Sequence, residues 1–408
     1  MKASRAIFHS IIGRSIAYKF LADSIGRLAS FLLIVMIARL MGAGAIGIYA
    51  FANGLAAYLS VASDLGMHLF VTREIAASSD AKRLVGSLSL LKVFINGTLG
   101  ALMSGLTLYF FPWGEESQVV LIIAWATLWY SFIELFTAVL RGYNAIVTET
   151  TLVLIFRLAR TALGITLIWM FRNLIVLAMA IMALSVVSSF CAAWYLFRTW
   201  IRPEFSFLWK DVRHWMGQYL PIGAGLIVTL LYWRSDVLLI RLFLSPREVG
   251  LYDAAYRLFD AVQVFPAIIL AVLFPRFAAP GGFRYFWRAF GALELLAAFL
   301  MAFIFLLGGP LVRLAYGSAF TPSIKILAIL FLALPAMFLN ALLINYLIAT
   351  RRQWAYLLAA GAALLFRIGL NLWGIPRFGL QAAAVTAVLT EGVILAACVV
   401  CWRVFLRR

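Results

Sequence analysis

Apolar stretches of roughly twenty residues return along the whole chain, separated by short polar joints. A helix needs about 20 apolar residues to cross the hydrocarbon core of a bilayer. Hydropathy places such spans at 15–40, 46–63, 86–111, 118–140, 151–171, 174–197, 218–243, 249–273, 289–308, 322–350, 354–373 and 379–402. Composition agrees, since 65% of the 408 residues are hydrophobic and 12% are charged. Soluble domains carry about 25% charged residues. A water-facing surface cannot be built from so few. The expected fold is therefore all-α and integral to the membrane, with about twelve transmembrane helices.

The distribution of basic residues orients these spans. With the N-terminus inside, alternate joints hold twenty Lys and Arg residues on one side and five on the other. The rich side includes Lys82, Arg83, Arg198, Arg202, Lys210 and Arg213. The poor side includes Arg172 and the joint at Glu115–Glu116, which has none. Basic joints stay cytoplasmic, so both termini are expected in the cytoplasm and the protein in the cell inner membrane. The formal charge of +18 is then read as contact with anionic lipid headgroups, not with nucleic acid.

No catalytic or metal-binding pattern stands out. The three histidines, His9, His68 and His214, lie away from the span centres. No phosphate-binding Gly-rich loop and no metal-ligand cluster is present. The reading is a non-enzyme without cofactor or metal.

Two segments resemble each other. In ARLMGAGAIGIYAFA (38–52) and IRLFLSPREVGLYDAA (240–255), Gly47 and Tyr49 match Gly250 and Tyr252. Each segment joins the first and second spans of a six-span half. This predicts two six-helix lobes related by a parallel internal repeat. The N-terminal lobe is expected over 1–200 and the C-terminal lobe over 218–408. A cytoplasmic amphipathic linker over 201–217 is expected between them, since PEFSFLWKDVRHWMGQ mixes aromatic and basic residues.

Charges at membrane depth are costly and usually face a cavity or a partner. Lys19, Asp23 and Arg27 share one helical face, as do Asp253, Arg257 and Asp260. Arg234 and Arg241 share another, with Asp236 pointing away from it. Arg367, Asn371 and Glu391 stand out in the last spans. Interhelical ion pairs or a largely cationic cavity between the lobes would each use them. Pro266 and Pro335 would kink their spans.

Four blocks carry a resemblance. They are 38–52 with DLGMHLFVTREIA (64–76), then YWRSDVLLIRLFLSPREVGLYDAAYRLFDAV (232–262) with LFPRFA (273–278). LAYGSAFTPSIKILAILFLALP (314–335) and LNLWGIPRFGLQAAAVTAVLTE (370–391) follow. In this order the sequence resembles the Wzx-like polysaccharide-biosynthesis flippases of the multidrug/oligosaccharidyl-lipid/polysaccharide exporter superfamily. The resemblance implies alternating access and transfer of a polyprenyl-diphosphate-linked oligosaccharide from the cytoplasmic to the outer leaflet. It implies membrane lipids, a glycan polymerase and glycosyltransferases as partners. An ion-coupled exporter of small molecules or another lipid is the alternative in the same fold. A polymerase-like membrane enzyme is a third reading, against which the short external joints count. In the first reading Arg27, Arg234 and Arg257 bind the diphosphate, because arginine offers a permanent charge and a planar donor fork. Asp23, Asp236, Asp253 and Asp260 are their acidic partners. Glu391 and Arg367 are candidates for ion coupling.

Overall fold

The computed structural model describes residues 2–77, 80–206, 209–277, 282–349 and 353–406. Fourteen α-helices and one 3-10 turn account for nearly all of them. The helices are α1 (Lys2–Asp64), α2 (Met67–Ala76), α3 (Ala81–Phe110), α4 (Glu115–Gly142), α5 (Ile146–Phe171), α6 (Leu174–Thr199) and α7 (Trp209–Phe243). They continue as α8 (Pro246–Ala261), α9 (Val264–Phe277), α10 (Gly282–Tyr316), α11 (Thr321–Phe331), α12 (Leu334–Ala349), α13 (Gln353–Phe378) and α14 (Leu380–Leu406). Among the described residues nine helices are long and apolar enough to cross a membrane, and a bent pair makes a tenth. One of the nine, Ala17–Ala76, holds two of the expected spans. The all-helical, multi-pass expectation holds.

Local chemistry explains the breaks. Gly42 sits at φ 84° and ψ −173° inside α1, a conformation that costs glycine little. It separates the two expected spans within one 63-residue element. Ser245 opens α8 with a reciprocal capping box to Glu248, and Pro246 takes the first turn. The span expected over 249–273 breaks between Ala261 and Val264, just before Pro266. Helices α11 and α12 meet at 46°, and Pro335 stands in the first turn of α12. Residues 201–206 are not helical, and from Trp209 the expected linker runs on without interruption as the start of α7.

The chain divides into two compact units. Unit 1 holds Met1–Met41 and Ala52–Ile227, and unit 2 holds Gly42–Phe51 and Val228–Arg408. The core of unit 1 packs Met67, Phe70 and Val71 of α2 against Val85 and Leu88 of α3 and Leu135 and Val139 of α4. In unit 2 the two segments matched in sequence cross at their matched glycines. A Cβ built on Gly250 would lie 2.9 Å from the Gly47 nitrogen, and one on Gly47 would lie 3.0 Å from the Gly250 nitrogen. Each glycine also lies against the carbonyl four residues before the other, Ala43 or Pro246. The contact is reciprocal.

Candidate functional site

Lone charges in the apolar helices of unit 1 converge on one cavity. Its volume is about 440 Å³, and helices α1, α2, α4, α5 and α7 line it. Taking a charge out of water is expensive unless it is paired, and the ionic groups here are paired. Glu149, 4% exposed at the start of α5, is held from two sides. Arg141 of α4 donates to it at 2.5 Å, and Lys19 of α1 at 3.3 Å. Two cations thus share one acid. On the rim, Arg157 of α5 donates to Asp23 of α1 at 2.8 Å.

A second group lies beside the first. Asp64, the last residue of α1, accepts from the backbone of Gly66 and His68 and makes a 2.5 Å bond with the His68 ring. It thereby fixes the sharp turn into α2, where Leu65 and Gly66 have positive φ. Lys92 of α3 is wholly buried, 3.9 Å from Asp64 and 3.5 Å from the Ser63 carbonyl. Glu134 of α4 accepts from Ser60 at 3.4 Å. Ser60, Tyr130 and Glu134 also line a second cavity of about 210 Å³, with Asn53, Thr127, Arg160 and Ser185. Along α4 the two cavities reach from Ile123 to Arg141. At 1.5 Å per residue this is about 27 Å, close to the thickness of a hydrocarbon core.

The larger cavity carries both signs of charge. Asp23, Asp64, Glu134 and Glu149 line it against Lys19, Arg141, Arg157 and His68. Each cation is parked on a carboxylate, so an incoming anion would have to exchange partners with it.

Unit 2 uses its charges differently. Asp236 of α7 is 2% exposed and sits in a closed cluster. Arg367 of α13 reaches it with both Nε, at 2.9 Å, and a terminal nitrogen. Asn371 donates to it at 2.8 Å, and the Tyr252 hydroxyl of α8 at 2.7 Å. Arg257 donates to Asp253 one turn earlier on α8, at 2.5 Å. Asn340 of α12 donates to Glu391 of α14 at 2.8 Å.

The residues singled out in the sequence are therefore dispersed. Asp23 is engaged by Arg157, and Arg27, one turn on, is exposed. Arg257 and Asp253 form the pair that their spacing suggests. Asp236 turns away from the Arg234 side, as their separation of two requires, and meets Arg367. Arg234 is on α7, but its side chain lies outside the described residues. Asp260 is exposed. Glu391 and Arg367, considered together for ion coupling, meet different residues, Asn340 and Asp236. The sequence reading passed over Asp64, Lys92, Glu134, Arg141, Glu149, Arg157 and Arg160. Their signal is available: Lys92 in LLKVF, Glu134 in SFIELF and Arg157 in IFRLA each interrupt an apolar run.

Comparison with known proteins extends this picture. The family described as "Polysaccharide biosynthesis protein" matches residues 12–279. No curated protein matches the chain by sequence. Among solved structures, the lipid II flippase MurJ in an inward closed conformation is similar at a TM-score of 0.79 and 14% identity, covering 94% of this chain and 87% of that one. A multidrug resistance MATE family transporter of the MOP superfamily, inward-facing, is similar at 0.74 and 14% identity, covering 92% of each. A MOP superfamily transporter from Pyrococcus furiosus is similar at 0.58 and 15% identity, covering 95% and 92%. At these identities the structures establish the fold.

Proposed function

Because the chain belongs to the polysaccharide biosynthesis protein family, we propose that it flips a polyprenyl-diphosphate-linked oligosaccharide from the cytoplasmic to the outer leaflet. The fold it shares with a lipid II flippase supports this reading. The observation that carries it is Glu149 clamped between Lys19 and Arg141. A diphosphate can compete with Glu149 for its two cations, so binding and release become exchanges between an acid and a phosphate. A site that binds too tightly would not release. Under the orientation read from the basic joints, Arg141 and Glu149 mark the cytoplasmic end of α4 and α5, where substrate would enter.

Arg157 joins these residues on the cavity rim, and Arg27, Arg234 and Arg257 are proposed as further phosphate-binding residues, each within its own unit. Glycosyltransferases would supply the substrate and a polymerase would consume the product. The protein acts in the inner membrane with both termini cytoplasmic, and as a carrier rather than an enzyme.

The four carboxylates of the same cavity favour one other reading, an exporter of small organic cations. Reconstitution into liposomes with a fluorescent polyprenyl-diphosphate oligosaccharide separates the two. Arg141→Ala combined with Arg157→Ala should slow flipping at least about tenfold, from lost charged hydrogen bonds of about 1.5–3 kcal/mol each. Arg→Lys at both positions should retain part of the rate, because charge survives while the donor fork is lost. Wild-type flipping by a folded double-alanine variant would refute the phosphate role. Efflux of a cationic dye without flipping would establish the second reading.

A further inference from the structure

Unit 1 holds a second site, unlike the charged cavity in every respect. A groove of about 520 Å³ runs between α3, α4 and α6. One wall is a ladder of six aromatic rings. Phe190 meets Trp129 at 5.6 Å between centroids, Trp129 meets Phe132 at 5.9 Å, and Phe132 meets Phe136 at 6.3 Å. The ladder continues through Phe136 and Phe197 at 5.5 Å to Phe205 at 6.1 Å.

The last ring belongs to none of the helices. Phe205 comes from the non-helical segment after α6, and that segment is fastened to the start of α3. The Glu204 nitrogen donates to the Lys82 carbonyl at 3.0 Å, and the Ser87 hydroxyl donates to the Ser206 carbonyl. Gly86 permits this approach, since a Cβ there would lie 3.0 Å from the Phe205 nitrogen and overlap the Glu204 carbonyl.

The hydroxyl and amide groups of the groove already have partners. Ser189 donates to the carbonyls of Trp129 and Ser185, Ser89 to that of Val85, and Asn96 to that of Leu128. Apart from indole N–H groups the rest of the lining is carbon, which suits a hydrocarbon occupant. Trp125 and Phe136, both in the lining, lie eleven residues apart on α4, about 16 Å of rise. That is half of a core of about 30 Å. The groove lies toward the end of α4 at Gly142 and the end of α6 at Thr199. The orientation from the basic joints makes this the cytoplasmic leaflet. Next to Phe197 and near Phe205 in sequence are Arg198 and Arg202, both exposed, and Lys82, whose carbonyl holds the Glu204 nitrogen, is exposed on α3. Glu204 is the acid in this segment.

We propose that this groove is a tail site for a polyprenyl phosphate, the isoprenoid lying along the aromatic ladder and the phosphate meeting Arg198 and Arg202. Bulk lipid is as apolar as the groove, so burial alone gives no preference for one chain over another. The preference comes from fit and from the charge of Arg198 and Arg202. An isoprenoid is methyl-branched and unsaturated. It loses less conformational freedom than a saturated acyl chain when held, and it sets a methyl against successive ring faces. The inference rests on the flippase reading only for its purpose, which is to hold the carrier tail in the leaflet where transfer begins.

The test uses the full chain in phosphatidylethanolamine/phosphatidylglycerol nanodiscs and a diazirine-bearing polyprenyl phosphate, with no transport required. Labelling should map to peptides containing Trp129, Phe132 and Phe197. Unlabelled polyprenyl phosphate should compete and excess phosphatidylglycerol should not. A Cβ at Gly97 meets nothing within 4 Å, and Gly97 lines the groove. Gly97→Phe therefore fills the groove without disturbing the helix and should cut labelling about tenfold, with unfolding temperature unchanged. Gly86→Ala, which dislodges Phe205, should weaken labelling in the same direction. Equal competition by phosphatidylglycerol, or labelling indifferent to Gly97→Phe, would overturn the site. Arg141→Ala with Arg157→Ala should leave labelling intact while flipping falls. If that pair abolishes labelling, the tail has no site of its own and the proposal fails. Should the protein flip no diphosphate-linked glycan at all, the labelling still decides the groove independently.

Discussion

Asp236→Ala should destabilise the protein by about 3–5 kcal/mol, because it strands the guanidinium of Arg367 inside unit 2. Arg367 is 2% exposed, with two of its nitrogens on one carboxylate. Asn371 and Tyr252 donate to the same carboxylate. Without that carboxylate the buried guanidinium loses the acceptor that two of its nitrogens share. Removing both charges is a different matter. Asp236→Leu with Arg367→Met replaces the pair by apolar groups of similar bulk, a change that is often neutral or stabilising. Most of the stability lost in the single variant should return in the double one, as judged by thermal unfolding of purified protein in detergent. The proposed flipping, measured in the recovered double variant, then assigns the pair. Retained flipping makes it a brace, whereas a folded but inactive double variant gives Arg367 a part in transport. A single variant as stable as wild type would contradict the buried pair itself.

Gly47→Ala should cost about 1–3 kcal/mol or more, which is large for one methyl group. The methyl would press on the Pro246 carbonyl and lie 3.0 Å from the Gly250 nitrogen. Both obstacles are backbone, so neither can rotate aside. Gly250→Ala should do the same from the other side, against the Ala43 carbonyl. Gly44→Ala is the control. It lies in the same stretch and its Cβ meets nothing within 4 Å. Alanine there should be neutral or stabilising by up to about 1 kcal/mol, from helix propensity. If Gly47→Ala and Gly44→Ala unfold at the same temperature, the close crossing is not present.

These two cases show where sequence reading succeeds and where it stops. Spans were legible because each needs only a long apolar run, and Gly42 and Pro335 mark breaks that glycine and proline chemistry explains. The pair Asp253–Arg257 was legible because its partners are one helical turn apart. The pair Asp236–Arg367 was not, since its partners are 131 residues apart and helical spacing says only which way Asp236 faces. Lys92 and Glu134 escaped notice because a hydropathy window averages one charge away. The cost of burying that charge makes it informative. Glu149 was invisible for another reason. It sits at a helix start in a short joint, where an acid is ordinary, and only the fold brings Lys19 and Arg141 onto it.

The glycine crossing also bears on how the chain can be cut. Residues 42–51 precede most of unit 1 in sequence yet pack as part of unit 2, with Ile46, Tyr49, Ala50 and Phe51 buried. The second half is thus completed by a piece lent from the first, much as a missing stave is supplied to a barrel from outside. A polypeptide severed in the non-helical stretch 201–206 would not yield two self-sufficient modules. The later fragment would carry an unfilled seat shaped for ten residues that remain on the earlier one. The halves would have to be present together for either the seat or its occupant to be covered.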